Sequence, residues 1–149
     1  MFERFTADAR AVVMAAAEVE AAQAGARTIE AEHLLLALAA RGVAGLDHAT
    51  VAEALEDEQR RSLAAVGVEL DAYDLPAPRR PHAKPRFGTS AKTALHQALK
   101  AALARRDRRI VEGHLLLGVL AAERGTVPRA LRIVDLDPAE LRARAFGTG

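Results

Sequence analysis

The chain has 149 residues, with 21 basic and 20 acidic side chains for a formal charge of +1; half its residues are hydrophobic and only 3% aromatic. That length suits one compact domain burying roughly 70% of its unfolded surface, and the charge balance gives no global pull toward nucleic acid or membrane surfaces. The absence of Cys excludes a disulfide framework, a thiolate nucleophile and a Cys-ligated zinc.

An Ala- and Leu-rich chain without Trp or Asn favours closely packed helices, so the expected fold is all-α. The amino terminus, MFERFTADAR, is charged and lacks the apolar core of a signal peptide. The longest apolar runs, Leu34 to Ala40 and Leu115 to Ala122, fall far short of the ~18 residues a membrane helix needs. A soluble, cytoplasmic protein is expected.

In chain order, Thr6 stands where an N-cap hydroxyl would accept the first free amides. Ala9, Val12, Val13 and Ala16 follow at helical spacing. The stretch AEHLLLALAA at 31–40 is apolar nearly all round, as expected of a helix at the centre of a bundle, with Gly42 predicted to end it. A third helix is predicted over TVAEAL (50–55) and a fourth from near Asp57. Residues 74–86, DLPAPRRPHAKPR, carry prolines at 76, 78, 81 and 85 and read as an extended connector.

Beyond Phe87, Thr89 or Ser90 is the expected cap of a helix carrying Ala91, Ala94, Leu95 and Ala98 at the same spacing. EGHLLLGVLAA at 112–122 is a second near-continuous apolar helix, with Gly125 predicted to end it. TVPRAL (126–131) places Pro128 early in a further helix, and Asp137-Pro138 opens a last one.

The second half repeats the first. An offset of 82 pairs Phe5 with Phe87, Ala9 with Ala91 and Val13 with Leu95. After one deleted residue, an offset of 81 pairs Ile29 with Ile110, His33 with His114 and Leu34–Leu36 with Leu115–Leu117. TVAEAL then matches TVPRAL. Several short matches in one order mark a tandem duplication. The expected organisation is a single domain over 1–149, with repeat 1 at 1–73, a Pro-rich linker at 74–86 and repeat 2 at 87–149, about eight helices in two four-helix units.

The opening MFERFT, the run from Ile29 through Glu32, His33 and Leu34–Leu36, its second copy through His114, and the two-unit length together resemble the amino-terminal Clp repeat domain of ClpC/ClpA-type Hsp100 unfoldases. The resemblance covers essentially the whole chain. It implies a pseudo-twofold eight-helix bundle that is non-catalytic and needs no cofactor, and that docks adaptors and protein substrates for ATP-driven rings feeding a peptidase. In ClpC-type relatives the domain also recognises phosphoarginine as a degradation mark and is a target of cyclic-peptide antibiotics. The same resemblance covers both an amino-terminal domain of a longer unfoldase and a standalone Clp-repeat protein acting as decoy, reservoir or adaptor.

The family's mark-reading residue is the Glu of a Thr-Glu-His motif in each repeat. Here the first copy reads Ala31-Glu32-His33, keeping the Glu and losing the Thr; the second reads Glu112-Gly113-His114, with Gly in the Glu position. This drift tilts the expectation toward the standalone form. A phosphorylated guanidinium needs a carboxylate for its N–H groups and donors for its phosphate. Glu32 is the candidate carboxylate; Glu112, a displaced acidic candidate for ligand or partner binding, would point about 100° away on a helix. The resemblance also puts Phe2 at the antibiotic-binding edge, whereas Phe5 and Phe87 read as equivalent packing anchors.

Two other classes stay open at this level. His33, His114, Glu32 and Glu112 could be assembled into a metal-dependent site, but adjacent Glu-His lacks the His-Glu-x-x-His spacing; a structural histidine at a helix start is the expected role, with no metal. The arginines at 105, 106, 108 and 109, and the linker's Arg79, Arg80, Lys84 and Arg86, suggest a nucleic-acid-binding regulator, without the aromatic interleaving that base stacking requires. No Gly-x-x-x-x-Gly-Lys-Ser/Thr phosphate loop occurs, and no enzymatic activity is expected.

Overall fold

The computed structural model describes residues 4–67 and 86–147; the connector, apart from Arg86, and Phe2 lie outside the described residues. The first helix, α1 (Ala7–Ala15), starts at Thr6, whose Oγ1 accepts from the Ala9 amide at 3.2 Å. It runs through one π-helical turn, Ala16–Glu20, into α2 (Ala21–Gln23). After β1 (Thr28–Ile29) come α3 (Ala31–Ala40), a 3₁₀ turn at Val43–Gly45 and α4 (His48–Ala65), capped by Asp47 on the Thr50 amide at 3.0 Å. The second half contains β2 (Arg86–Phe87), α5 (Thr89–Ala104), α6 (Glu112–Leu120), α7 (Thr126–Ile133) and α8 (Pro138–Arg144).

The architecture is all-α with a two-stranded ladder of two residues per strand. If α1, its π turn and α2 are taken as one rod, seven helices are present among the described residues. None of these helices is long and apolar enough to cross a membrane.

Two main-chain pairings that are equivalent by duplication join the repeats. Ile29 and Phe87 are register partners in the parallel β1–β2 ladder, and Phe5 bridges Ile110 in parallel. The Gly88 amide donates to Ile29 O at 2.8 Å, and the corresponding Thr6 amide donates to Ile110 O at 3.0 Å. Each repeat therefore lends the strand before its first helix to the other repeat's strand before its second helix. Phe5, Ile29 and Ile110 are each 1% exposed at these crossings.

The helices that follow Ile29 and Ile110 fill the centre. Leu34, Leu35, Leu115 and Leu116 are fully buried, while Leu36 and Leu117 pack against the core from its margin. At about 1.5–3 kcal/mol for each fully buried leucine, α3 and α6 supply a large share of the apolar driving force.

Three local expectations are corrected. Neither Thr89 nor Ser90 caps α5: Gly88 holds the cap position, and Ser90 Oγ accepts instead from the Ala31 amide of the other repeat at 2.8 Å. No helix starts near Asp57, because α4 runs unbroken through it; the run Asp57-Glu58-Gln59-Arg60 contains no breaker. In the second half, Asp135 at φ 54° and Pro138 at the helix start enforce the break. Gly125 does not end α6, which stops at Leu120, where Arg142 Nη2 of α8 takes the free carbonyl at 2.9 Å. Gly125 precedes α7 at φ 110°, a conformation that a side chain would strain. Gly42, at φ 70°, does follow α3 as expected.

Gly118 lets α5 and α6 cross at backbone contact: a Cβ there would overlap the Ala94 carbonyl and press on the Ala98 amide. Gly118→Ala is therefore expected to destabilise the domain by about 1–3 kcal/mol through overpacking, although Ala is intrinsically the better helix former by about 1 kcal/mol. Urea unfolding measures the balance, and a gain in stability would mean that the two helices can separate at no cost.

Candidate functional site

The repeated histidines sit at the third position of α3 and α6. His33 Nδ1 accepts from the Glu30 amide at 2.8 Å and His114 Nδ1 accepts from the Val111 amide at 2.9 Å. Each ring thereby satisfies a backbone donor just before its helix, where no intrahelical partner exists. The accepting Nδ1 carries no proton, which fixes His114 as the Nε2–H tautomer donating to Asp107 Oδ2 at 2.7 Å. The His114 hydrogen bond, followed by that of Arg105, holds Asp107 below the usual carboxylate range. Phe146 packs edge-on to His114 with ring centroids 5.0 Å apart, and the Arg105 guanidinium covers the Phe146 face at 3.8 Å. Both His114 nitrogens are thus engaged, and no cluster of three His, Cys, Asp or Glu suited to a metal ion occurs among the described residues.

Glu32 lies at the second position of α3, half-buried. Burial pushes its pKa up, and the charges of Glu30 and Glu58 push the same way, against the opposing effects of its own backbone amide and the Thr126 hydroxyl. Helices α3, α4 and α7 therefore converge on a carboxylate that is poorly compensated when ionised. Its neighbour Glu30 behaves oppositely. Burial works against ionisation there too, but the Thr28 and Ser90 hydroxyls, donating at 2.7 Å each, carry its pKa below the usual value. Glu58, 5% exposed on α4, accepts from Ser62 Oγ at 2.6 Å and from Arg129 Nε of α7 at 2.8 Å.

The second repeat is built differently. Arg41, just past the end of α3, donates from Nε to Glu112 Oε2 at 2.7 Å and from Nη2 to Asp8 Oδ1 at 3.0 Å. Glu112 is thus held in an ion pair between the repeats. At Gly113, the counterpart of Glu32, a Cβ would stand 2.5 Å from Ala145 O and 2.7 Å from the Phe146 ring. The end of α8 covers the place that a recognition side chain would need. Phe5 is buried, Phe87 is half-buried against the core, and Phe2 lies outside the described residues. Among the clustered arginines, Arg105 is taken by Asp107 and Phe146, and Arg109 Nη2 donates to Phe5 O at 3.4 Å.

Several interacting residues escaped the sequence. Glu20, 7% exposed in the π turn, meets His48 Nε2 at 2.9 Å; a π turn leaves no mark in the 3.6-residue period. Arg41, Glu58 and Arg129 likewise act through partners remote in sequence. Phe146 had a usable signal, being one of only four phenylalanines.

The comparisons agree with this architecture. The family model of the Clp repeat (R) N-terminal domain matches residues 86–146. The N-terminal domain of the caseinolytic protease associated chaperone ClpD from Arabidopsis thaliana aligns with a TM-score of 0.68 at 21% identity, over 98% of this chain and 94% of that one. The Hsp104 N-terminal domain from Candida albicans aligns with a TM-score of 0.66 at 20% identity, over 97% of this chain and 91% of that one. A structure from a malarial protein secretion system aligns with a TM-score of 0.62 at 18% identity, over 96% and 92%. Comparison with curated protein sequences gives no match. The fold is that of a Clp-type N-terminal domain.

Two expectations follow from the site. Burial, against the charges of Glu30 and Glu20, lowers the His33 pKa below its ordinary 6.5. A lowered histidine contributes stability that is whole above the unfolded value and is lost as pH falls from there through the folded one. His33→Gln retains an acceptor for the Glu30 amide and should flatten the acid side of a stability–pH curve below about 6.5. An unchanged curve would assign the acid loss to other groups. Gly113→Glu, which gives the second repeat the counterpart of Glu32, should destabilise the domain by about 1–3 kcal/mol by displacing Phe146, seen as a lower midpoint in thermal unfolding.

Proposed function

We propose that this domain is a non-catalytic docking module for protein substrates or adaptors of a Clp-type chaperone–protease machinery, with Glu32 as its polar anchor and one working repeat. The observation that carries the reading is the half-buried Glu32 carboxylate at the α3–α4–α7 junction, with its pKa raised by burial and by Glu30 and Glu58. A group kept ionisable at a cost to folding is a candidate for ligand binding. A guanidinium ligand would relieve that cost by paired N–H donation to the carboxylate. Phosphoarginine on a marked substrate fits this requirement, and a peptide-like ligand presenting a cation fits it as well. The second repeat offers no equivalent, since Glu112 is paired with Arg41 and Phe146 covers Gly113.

Calorimetric titration with phosphoarginine is expected to show one site per chain, abolished in Glu32→Gln. Because ionised Glu32 opposes folding, the Gln variant should unfold at an equal or higher temperature near neutral pH, so lost binding will not reflect lost structure. The raised pKa also sets a pH dependence: binding weakens as pH falls through the raised value and the carboxylate takes up its proton. Absence of heat with the wild type would retire the mark-reading form. Docking is then tested with a reduced, alkylated polypeptide unable to refold, and failure to bind it as well would sink the module reading.

A further inference from the structure

A groove of about 420 Å³ runs along the carboxyl-terminal half of α4 where α7 packs against it. This falls within the roughly 300–1,000 Å³ of ligand clefts. Three arginines line it, Arg61 from α4 with Arg129 and Arg132 from α7, against a single carboxylate, Glu58. That carboxylate is buried and already occupied by Ser62 and Arg129, so the groove presents an excess of positive charge.

The arginines are available to different degrees. Arg129 is held by Glu58 Oε1 but its side chain is still 51% exposed. Arg61 makes only an exposed i,i+4 pair with Asp57 at 3.2 Å, an interaction of small value that a ligand carboxylate can replace. Arg132 is exposed, and its guanidinium makes no hydrogen bond or ion pair among the described residues. Between the guanidinium groups the lining is aliphatic, from Ala65 and Ile133. Val66, the next residue after Ala65, is 74% exposed.

We infer that this groove is a second docking surface, one that takes an acidic peptide segment carrying aliphatic side chains. Guanidinium groups form forked pairs with carboxylates, and Ala65 and Ile133 offer apolar contact between those pairs. A nucleic acid would match the charge equally well, but the lining contains no aromatic ring on which bases could stack. None of these three arginines belongs to the basic runs conspicuous in the sequence. The inference rests on the docking reading proposed above. It differs in place and in chemistry, because the Glu32 junction offers a carboxylate to N–H donors and this groove offers guanidinium groups to carboxylates. Glu58 touches both features, raising the pKa of Glu32 and orienting Arg129.

The test is fluorescence anisotropy on the whole chain. The probes are a labelled peptide alternating Glu and Leu, the same peptide with Gln for Glu, the same with Lys for Glu, and an oligothymidylate. The variant is Arg61→Glu with Arg132→Glu; both positions are exposed, so its unfolding midpoint should match the wild type. The expected result is binding of the Glu–Leu peptide that weakens at least about tenfold in the variant and with added salt, while phosphoarginine binding at Glu32 is retained. Equal affinity for the Glu and Gln peptides, or no loss in the variant, would overturn the groove. If the unfolded polypeptide still binds in that case, the docking reading survives without it; if that also fails, both fall. Preference for the oligothymidylate over the Glu–Leu peptide would overturn the inference in favour of nucleic acid.

Discussion

Two short main-chain pairings, Phe5 with Ile110 and Ile29 with Phe87, set the positions of almost everything else in this domain. Each joins the strand leading into one repeat's first helix to the strand leading into the other repeat's second helix. Pulling the repeats apart would expose Phe5, Ile29 and Ile110 together, each worth about 1.5–3 kcal/mol of burial, and would leave their backbone groups unpaired. Helices α3 and α6 begin two residues after these pairings. The orientation of the His33 and His114 caps, and of every side chain in the first turns, is inherited from them. Ser90 on the Ala31 amide and Arg41 on Glu112 add polar links across the same seam.

On that common backbone the two repeats have acquired opposite chemistry. The first turn of α3 gathers carboxylates: Glu30 is stabilised by two hydroxyls, while Glu32 has burial and like charge against it. The first turn of α6 has Val111, Glu112 and Gly113 in the corresponding places, and Arg41 and Phe146 close it. The asymmetry is steric as well as electrostatic. Gly113 allows the end of α8 to lie directly on α6, and the Arg105–Phe146–His114–Asp107 stack holds it there. A pseudo-symmetric scaffold thus presents one open acidic junction and one closed one.

The α4–α7 contact shapes the remaining surface. Burying Glu58 beside Arg129 keeps that charge compensated, since removing one partner of such a pair leaves the other uncompensated at considerable cost. The same carboxylate disfavours ionisation at Glu32 and leaves the neighbouring arginines in excess along the groove. Acidic and basic features in a chain of nearly neutral net charge therefore come from local segregation, which global charge does not reveal.

The sequence by itself determined the helical class, the duplication, the central position of the two His-Leu-Leu-Leu helices and the residues at their starts. Composition, period and repeat spacing are local or self-referential signals, and helices express them within a few residues. It also marked Glu32 and Gly113 as the place where the repeats differ. Helix ends were less legible where a remote group decided them, as Ser90 does at α3 and Arg142 does at Leu120. Only the tertiary structure decided that the leading strands are exchanged, that Glu112 is paired, that Phe146 covers Gly113 and that Arg61, Arg129 and Arg132 share a groove. Those outcomes join residues far apart in the chain, and a linear pattern does not record which side chain of one helix will face a given side chain of another once both are packed.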